Sequence, residues 1–522
     1  EQDVDDARTV VVENSRIKPF SDRNVDIPRT MDDAQPYYIY DAATIERSGA
    51  TDIQEFLKQR LTMDATYRTN AQAYAGTTQS GGALKGNTSS FNLRGLGSSH
   101  TLILINGRRP AGVNHSTGGD GPPGINVAYD QPDLNGIPLS SIDRIEVLPT
   151  SASAIYGGSA LGGIINVILK KDYLGGEIRA TYKTTHDGKG PVKTISGTFG
   201  NGFEQGKSQL LVTAQVSQAM PMIAGDRREI VQRGYETILR NSPEYFTSSP
   251  GTPVLGATTN FGSLSGEVLT FKLDGSSLGS AFGTLAPGFS SSSGRDSIIG
   301  GKWDYSLPNS NQAPNGLRAP TGSSPETGAL MATLRRQMTP KVEVFAEYTQ
   351  TSNESTQIFN PFSSSWPVLS SASNNPFNQN IRVWVPYSFE AISKSKSESR
   401  VMTIGTIVAL PKSWTAEIEY SRSDSKFSYI QRDGDLESFN NDTLSGVVNV
   451  FVDVSQFSTD LGKYIYTHSA RTSGSVDDLS LRAAGTALRL PTGRARLAVG
   501  LQLRRDSHPQ FVAESRFPLR PG

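Results

Sequence analysis

Asn92-Leu93-Arg94-Gly95-Leu96-Gly97, followed by Thr101-Leu102-Ile103-Leu104-Ile105-Asn106-Gly107-Arg108-Arg109, opens the stretch that decides how this chain is read. It continues with Ile142-Asp143-Arg144-Ile145-Glu146-Val147-Leu148, then Ser153-Ala154-Ile155-Tyr156-Gly157-Gly158, and ends on Leu161-Gly162-Gly163-Ile164-Ile165-Asn166-Val167-Ile168. Most of these blocks are short apolar runs bounded by glycine. Such runs predict short strands joined by tight turns, a compact α+β unit with little helix. Just upstream, Tyr37-Tyr38-Ile39-Tyr40 is β-prone, Asp41 is placed to cap, and Ile45, Ile53, Phe56, Leu57 and Leu61 form a partial helical face.

The rest of the chain has a different grammar. From Gly176 the pattern alternates with period two. Ile178, Ala180 and Tyr182 alternate with charged residues and threonine, as do Val342, Val344, Ala346 and Tyr348, and Trp414, Ala416, Ile418 and Tyr420. The alternation predicts nine strands, at about 176–186, 192–200, 207–218, 329–338, 341–351, 399–410, 413–423, 474–490 and 493–506. Tight turns are expected at 201–206, 337–341, 410–413 and 490–493, and long connections at 219–328, 352–398 and 424–473. Only the first hairpin, near Asp187, has a short connection where a long one is due. Short and long connections on opposite sides are the layout of an outer-membrane β-barrel. A soluble sandwich has no reason to sort its loops in this way.

Bulk composition agrees. At 522 residues, two or more domains are expected. Lys+Arg and Asp+Glu balance at 50 each, so there is no basic footprint for nucleic acid. With no cysteine, disulfides, thiolate metal sites and a Cys nucleophile are excluded. No run approaches the roughly 18 apolar residues of a membrane helix, but a barrel hides its apolar residues by alternation. The histidines at 100, 115, 186, 468 and 508 lack ligand spacing. Gly206-Lys207-Ser208 nearly completes a phosphate loop, but Asn201 stands where the first glycine is required, and a strand is expected where the motif needs a helix. No catalytic residue, metal or cofactor is expected, and nothing in the sequence argues for an enzyme.

In order and spacing, the blocks between Phe91 and Lys171 resemble the plug domain of the TonB-dependent outer-membrane receptors. The resemblance implies three regions: a flexible segment 1–30, a plug 31–172, and the N-terminal part of a transmembrane barrel 173–522. The expected fold class is therefore membrane all-β: an antiparallel transmembrane β-barrel, apparently incomplete at about nine strands, with an N-terminal α+β plug. Nine strands leave two unpaired edges in lipid, so the remaining strands are expected from further sequence or from another chain. The island Val10-Val11-Val12 within Arg8-Thr9-Val10-Val11-Val12-Glu13-Asn14 reads either as part of a disordered terminus or as a peptide that adds to a partner's sheet edge. Its position resembles the TonB box, which implies a periplasmic energy-coupling partner.

The resemblance also implies that Arg94 and Glu146 help latch plug to barrel. Relatives carry Arg-Gly-Pro after Glu-Val-Leu, whereas here Leu148 leads to Pro149-Thr150-Ser151, so a second locking arginine is missing. Around the loops 69–90 and 111–130, the residues Tyr67, Tyr74, His115, Asp120 and Tyr129 are candidates for contact with a small nutrient ligand. The implied function is energy-coupled uptake of a scarce nutrient such as a metal chelate, cobalamin or a saccharide. The alternatives are an adhesion or secretion barrel without coupled transport, and a signal-transducing receptor.

Overall fold

A computed structural model describes residues 38–61, 87–116, 127–129, 131–151, 158–241, 258–304, 324–359, 365–385, 391–411, 414–453, 456–490, 493–507 and 512–516. The N-terminal unit contains β1 (Tyr38–Asp41), α1 (Ala42–Arg47), α2 (Ile53–Arg60), β2 (Thr101–Ile105), β3 (Ile142–Leu148) and β4 (Gly163–Leu169). The helical face legible in the sequence is split in two. Gly49 takes φ +68° after α1, and each helix restarts on an aspartate: Asp41 accepts the Thr44 N–H at 2.7 Å and Asp52 that of Glu55 at 2.7 Å. The four strands pair in the order β1–β3–β4–β2, with β2 and β4 parallel. Ile45, Ile53, Phe56 and Leu57 pack on Ile103, Ile145, Val147, Ile165 and Val167 to make its core.

The second unit is a meander of β5 (Gly175–Lys183), β6 (Val192–Phe203), β7 (Ser208–Ala219), β8 (Ser324–Thr339), β9 (Val342–Phe359), β10 (Ala391–Leu410), β11 (Trp414–Gly434), β12 (Ile465–Leu490) and β13 (Gly493–Ser507). A further piece, β14 (Val512–Arg516), pairs with β12 beyond the end of β13. These are the nine strands that the alternation predicts, and the described tight turns, between Phe203 and Ser208 and between Thr339 and Val342, fall where expected. At the other end the strands overrun expectation: β11 reaches Gly434 and β12 begins at Ile465.

Burial in this sheet is inverted. Outward Ile178, Phe199, Val216, Ile404, Ile418, Leu481 and Leu501 are exposed, while inward Ser395, Thr403, Glu417, Glu419, Ser423 and Ser480 are buried. Leaving a large apolar side chain in water forgoes about 1.5–3 kcal/mol. A belt of them is stable only against lipid, which is the pattern of a transmembrane barrel wall. No described helix is long and apolar enough to cross a membrane.

The long connections were expected only as loops. Instead, much of their described length folds together, with the helix Arg228–Asn241 left outside. Asn260–Ser263, Phe282–Leu285, Ile298–Gly300, Ser365–Val368 and Ile381–Trp384 form one five-stranded sheet drawn from two connections. The third connection contributes Phe439, Val450, Phe451 and Tyr464 to the same core, which includes Phe261, Trp366 and Phe377. The result is a cap with its own apolar interior at the long-connection end of the wall. Within it, Gly275-Ser276-Ser277-Leu278-Gly279 has the letters of a nucleophile elbow, a match missed in reading the sequence. It is a surface turn and not a strand-to-helix corner, with Ser277 Oγ accepting the Gly279 N–H.

Candidate functional site

The sheet curls around the N-terminal unit, which touches strands from one side of it to the other. Near one edge, Arg179 of β5 pairs with Glu46 at 2.5 Å, and Lys183 donates to Gly49 O at 2.8 Å. Met331 of β8 joins the core of the unit. Further round, Asn353 of β9 donates to Asp133 at 2.8 Å and to Asn87 O at 3.0 Å. On β11, Ser423 Oγ accepts the Ala111 N–H at 2.9 Å and Ser425 Oγ donates to Gly112 O at 2.7 Å. Val113 packs on Phe427, Tyr429 and Ala470.

The most charged of these contacts is centred on Arg108. After β2, Asn106 and Gly107 take positive φ, 53° and 79°, turning the chain so that Arg108 projects at the wall. Its guanidinium pairs with Glu347 of β9 and with Glu419 of β11, the latter at 2.6 Å. All three side chains are close to nine-tenths buried or more. Ser480 Oγ donates to the other Glu419 oxygen at 3.1 Å, Lys171 Nζ lies 3.7 Å from Glu347, and Asn106 Nδ2 donates to Glu347 at 3.4 Å. Burial by itself would lower the pKa of Arg108. The carboxylates of Glu347 and Glu419 outweigh it and hold the guanidinium more firmly charged than usual. Arg108 also lies 5.7 Å from the Phe345 ring centroid. Phe345 in turn rests on Gly405, where a Cβ would meet the ring at 2.5 Å.

The two residues expected to latch plug to barrel, Arg94 and Glu146, lie away from the Arg108 cluster. Arg94 is exposed at φ 61° and, among the described residues, makes no ion pair with the wall. Glu146 is bound inside its own unit, by Arg144 at 2.8 Å and Asn166 at 3.1 Å. The contact the sequence reading missed has one local signal, an Asn-Gly turn that closes an apolar strand and delivers Arg108. Nothing local names Glu347 and Glu419, which are 239 and 311 residues away. Among the ligand candidates, His115 and Tyr129 lie on a short ladder in which His115 faces Ala128 and Tyr129 faces Asn114. Tyr67, Tyr74 and Asp120, like residues 8–14, lie outside the described residues. Among the described residues, no group of three or more His, Cys, Asp or Glu could hold a metal.

Fold and site together define a class: an outer-membrane barrel wall enclosing an N-terminal plug. Comparison with known proteins agrees with that class. Residues 29–164 match the TonB-dependent Receptor Plug Domain. An iron-regulated outer membrane virulence protein of Vibrio cholerae is 37% identical over 119 residues, which are 23% of this chain and 16% of that protein. Among solved structures, the ferric enterobactin receptor of Pseudomonas aeruginosa aligns at 12% identity and TM-score 0.39, over 92% of this chain and 59% of its own. The ferripyoverdine receptor of the same organism aligns at 10% identity and TM-score 0.40, over 83% and 39%. The chain thus spans less than two thirds of the length of each relative it matches here. Residues 29–164 are similar to a TonB-dependent receptor plug domain, and the protein resides in the outer membrane of a Gram-negative-type bacterium.

Proposed function

We propose that this protein takes up a scarce nutrient across the outer membrane by energy-coupled, TonB-dependent transport. The observation that carries the reading is the buried Arg108 held between Glu347 and Glu419, which clamps the plug to the wall. Withdrawing one partner of a buried ion pair costs about 3–5 kcal/mol because the remaining charges are left uncompensated. A closed plug of this kind needs work to open, and a periplasmic partner that pairs with residues 8–14 and pulls would supply it. The protein is then a transporter and not an enzyme, and the failed phosphate motif is no loss. The ligand would bind between the cap and the upper plug, with Tyr67, Tyr74, His115, Asp120 and Tyr129 as candidate contacts. Similarity to an iron-regulated protein over the plug makes a ferric chelate the first ligand to test, ahead of cobalamin and saccharides.

The test is uptake of labelled ferric chelates, cobalamin and oligosaccharides by a deletion strain that expresses the complete receptor, with and without a protonophore. One ligand class should accumulate, and the protonophore should abolish accumulation while sparing surface binding. Accumulation that ignores the protonophore would refute energy coupling. No accumulation of any class, with normal surface assembly, would favour the adhesion or secretion alternative.

A further inference from the structure

The wall facing the plug is not uniform. On β10 the inward positions running from the Arg108 level toward the cap are Val401, Ser399, Ser397, Ser395 and Ser393. Ser355 on β9, and Ser393 and Thr403 on β10, are each 2% exposed, and none of their hydroxyls has a hydrogen-bond partner among the described residues. A buried hydroxyl without a partner carries a desolvation penalty, so such groups are matched to water or to a passing polar solute. Thr403 also lines a small cavity between plug and wall, which is bounded by Arg108, Arg109, Glu347, Thr349 and Ser421. On the other flank the inward hydroxyls satisfy each other. Thr194 bonds Ser217 at 2.7 Å and Thr198 bonds Thr213 at 3.3 Å across β6 and β7.

We propose that solute crosses along the seam between the Asn106–Pro110 turn and the inward faces of β9–β11, and not along the β6–β7 wall. The inference rests on the transport reading above and adds the route and the class of cargo. Cargo would be a hydrated, oxygen-rich solute able to exchange hydrogen bonds with a row of hydroxyls. The contacts that close the seam are single hydrogen bonds at Ser423 and Ser425, those of Asn353, the packing of Val113 on Phe427 and Tyr429 and, below them, the Arg108 ion cluster. A downward pull on the plug would break them and join the Thr403 cavity to the serine row.

These 522 residues contain no cysteine, so single thiols placed among them have no competitor within this part of the receptor. Thr403→Cys, Ser421→Cys, Ser393→Cys and, as control, Thr213→Cys would be placed in the complete receptor in its own outer membrane. Each variant is checked for surface assembly and then exposed in intact cells to a membrane-impermeant sulfonated maleimide, with and without a protonophore. In energised cells the three seam thiols should react at least about tenfold faster than Thr213→Cys, because access governs thiol labelling. Equal rates, or a faster Thr213→Cys, would overturn the route while leaving energy coupling to the uptake assay. Seam thiols that remain faster but ignore the protonophore would support the route and count against energy coupling.

Discussion

Arg108 is the residue on which the account turns. Neutralising it leaves Glu347 and Glu419 facing each other in a buried seam. Arg108→Ala should therefore weaken the plug–wall contact by about 3–5 kcal/mol. The expected outcome is greater sensitivity of intact cells to large antibiotics that the closed receptor excludes. Arg108→Lys should fall between Ala and the parent, because an ammonium cannot reach both carboxylates with a guanidinium's fork. Unchanged sensitivity in Arg108→Ala would show that the remaining contacts hold the plug unaided. Gly405→Val should mimic the defect by a different cause, since any Cβ there displaces Phe345 from beneath Arg108. Little of this was legible in sequence. The Asn106-Gly107 turn announces that a side chain is delivered, but not to whom, because pairing partners hundreds of residues apart carry no local signal. Arg94 and Glu146 were chosen by resemblance, and the structure turns one to solvent and the other inward.

At the scale of elements, the nine strands and the tight turns were legible because lipid demands apolar residues at every second position. Above the apolar belt that demand lapses. In Ser393-Lys394-Ser395-Lys396-Ser397-Glu398 both faces are polar, so the alternation of hydrophobicity vanishes although the strand continues. The cap was hidden for another reason: its core is assembled from short segments of three separate connections, and the one long periodic segment among their described residues, the helix Arg228–Asn241, contributes nothing to it. Truncating Phe377 at its centre, where it meets Phe261, Phe271 and Phe451, should cost about 3–5 kcal/mol. Phe377→Ala cells should lose ligand binding and expose the cap to external protease, while the barrel still assembles. Protease resistance equal to the parent would mean that the cap does not fold as one unit. At the N-terminus, edge pairing by Val10-Val11-Val12 would rest on backbone hydrogen bonds. Val11→Pro should then abolish uptake while leaving surface binding intact, and Val11→Thr should cost little. Normal uptake by the proline variant would exclude this segment as the coupling site.

For the whole molecule, the outer surface marks its own depth in the membrane. Outward residues on β10 run Leu410, Val408, Thr406, Ile404, Met402 and then turn to Arg400 and Glu398. On β11, Tyr420 gives way to Arg422 and Asp424, and Arg422 pairs with both Asp424 and Asp477. The belt is short enough for one tilted crossing of a bilayer, and the cap stands on the charged side of it. A cysteine at exposed Ser371 should react with an impermeant reagent in intact cells and one at Pro340 should not; the reverse would invert the orientation. The edges of β5 and β13 are unpaired among the described residues, and both strands run from the tight-turn end to the cap end. A closed antiparallel barrel that includes them needs an odd number of further strands, which makes the total even.

The central claim is that transport requires the plug to leave the wall at the β11 seam. Ala111→Cys with Ser423→Cys would bridge the two at a point where Ala111 N already donates to Ser423 Oγ at 2.9 Å. With the disulfide formed, the complete receptor should bind its ligand at the cell surface and fail to take it up, and reductant should restore uptake. Uptake at the parental rate with the bridge intact would contradict the account.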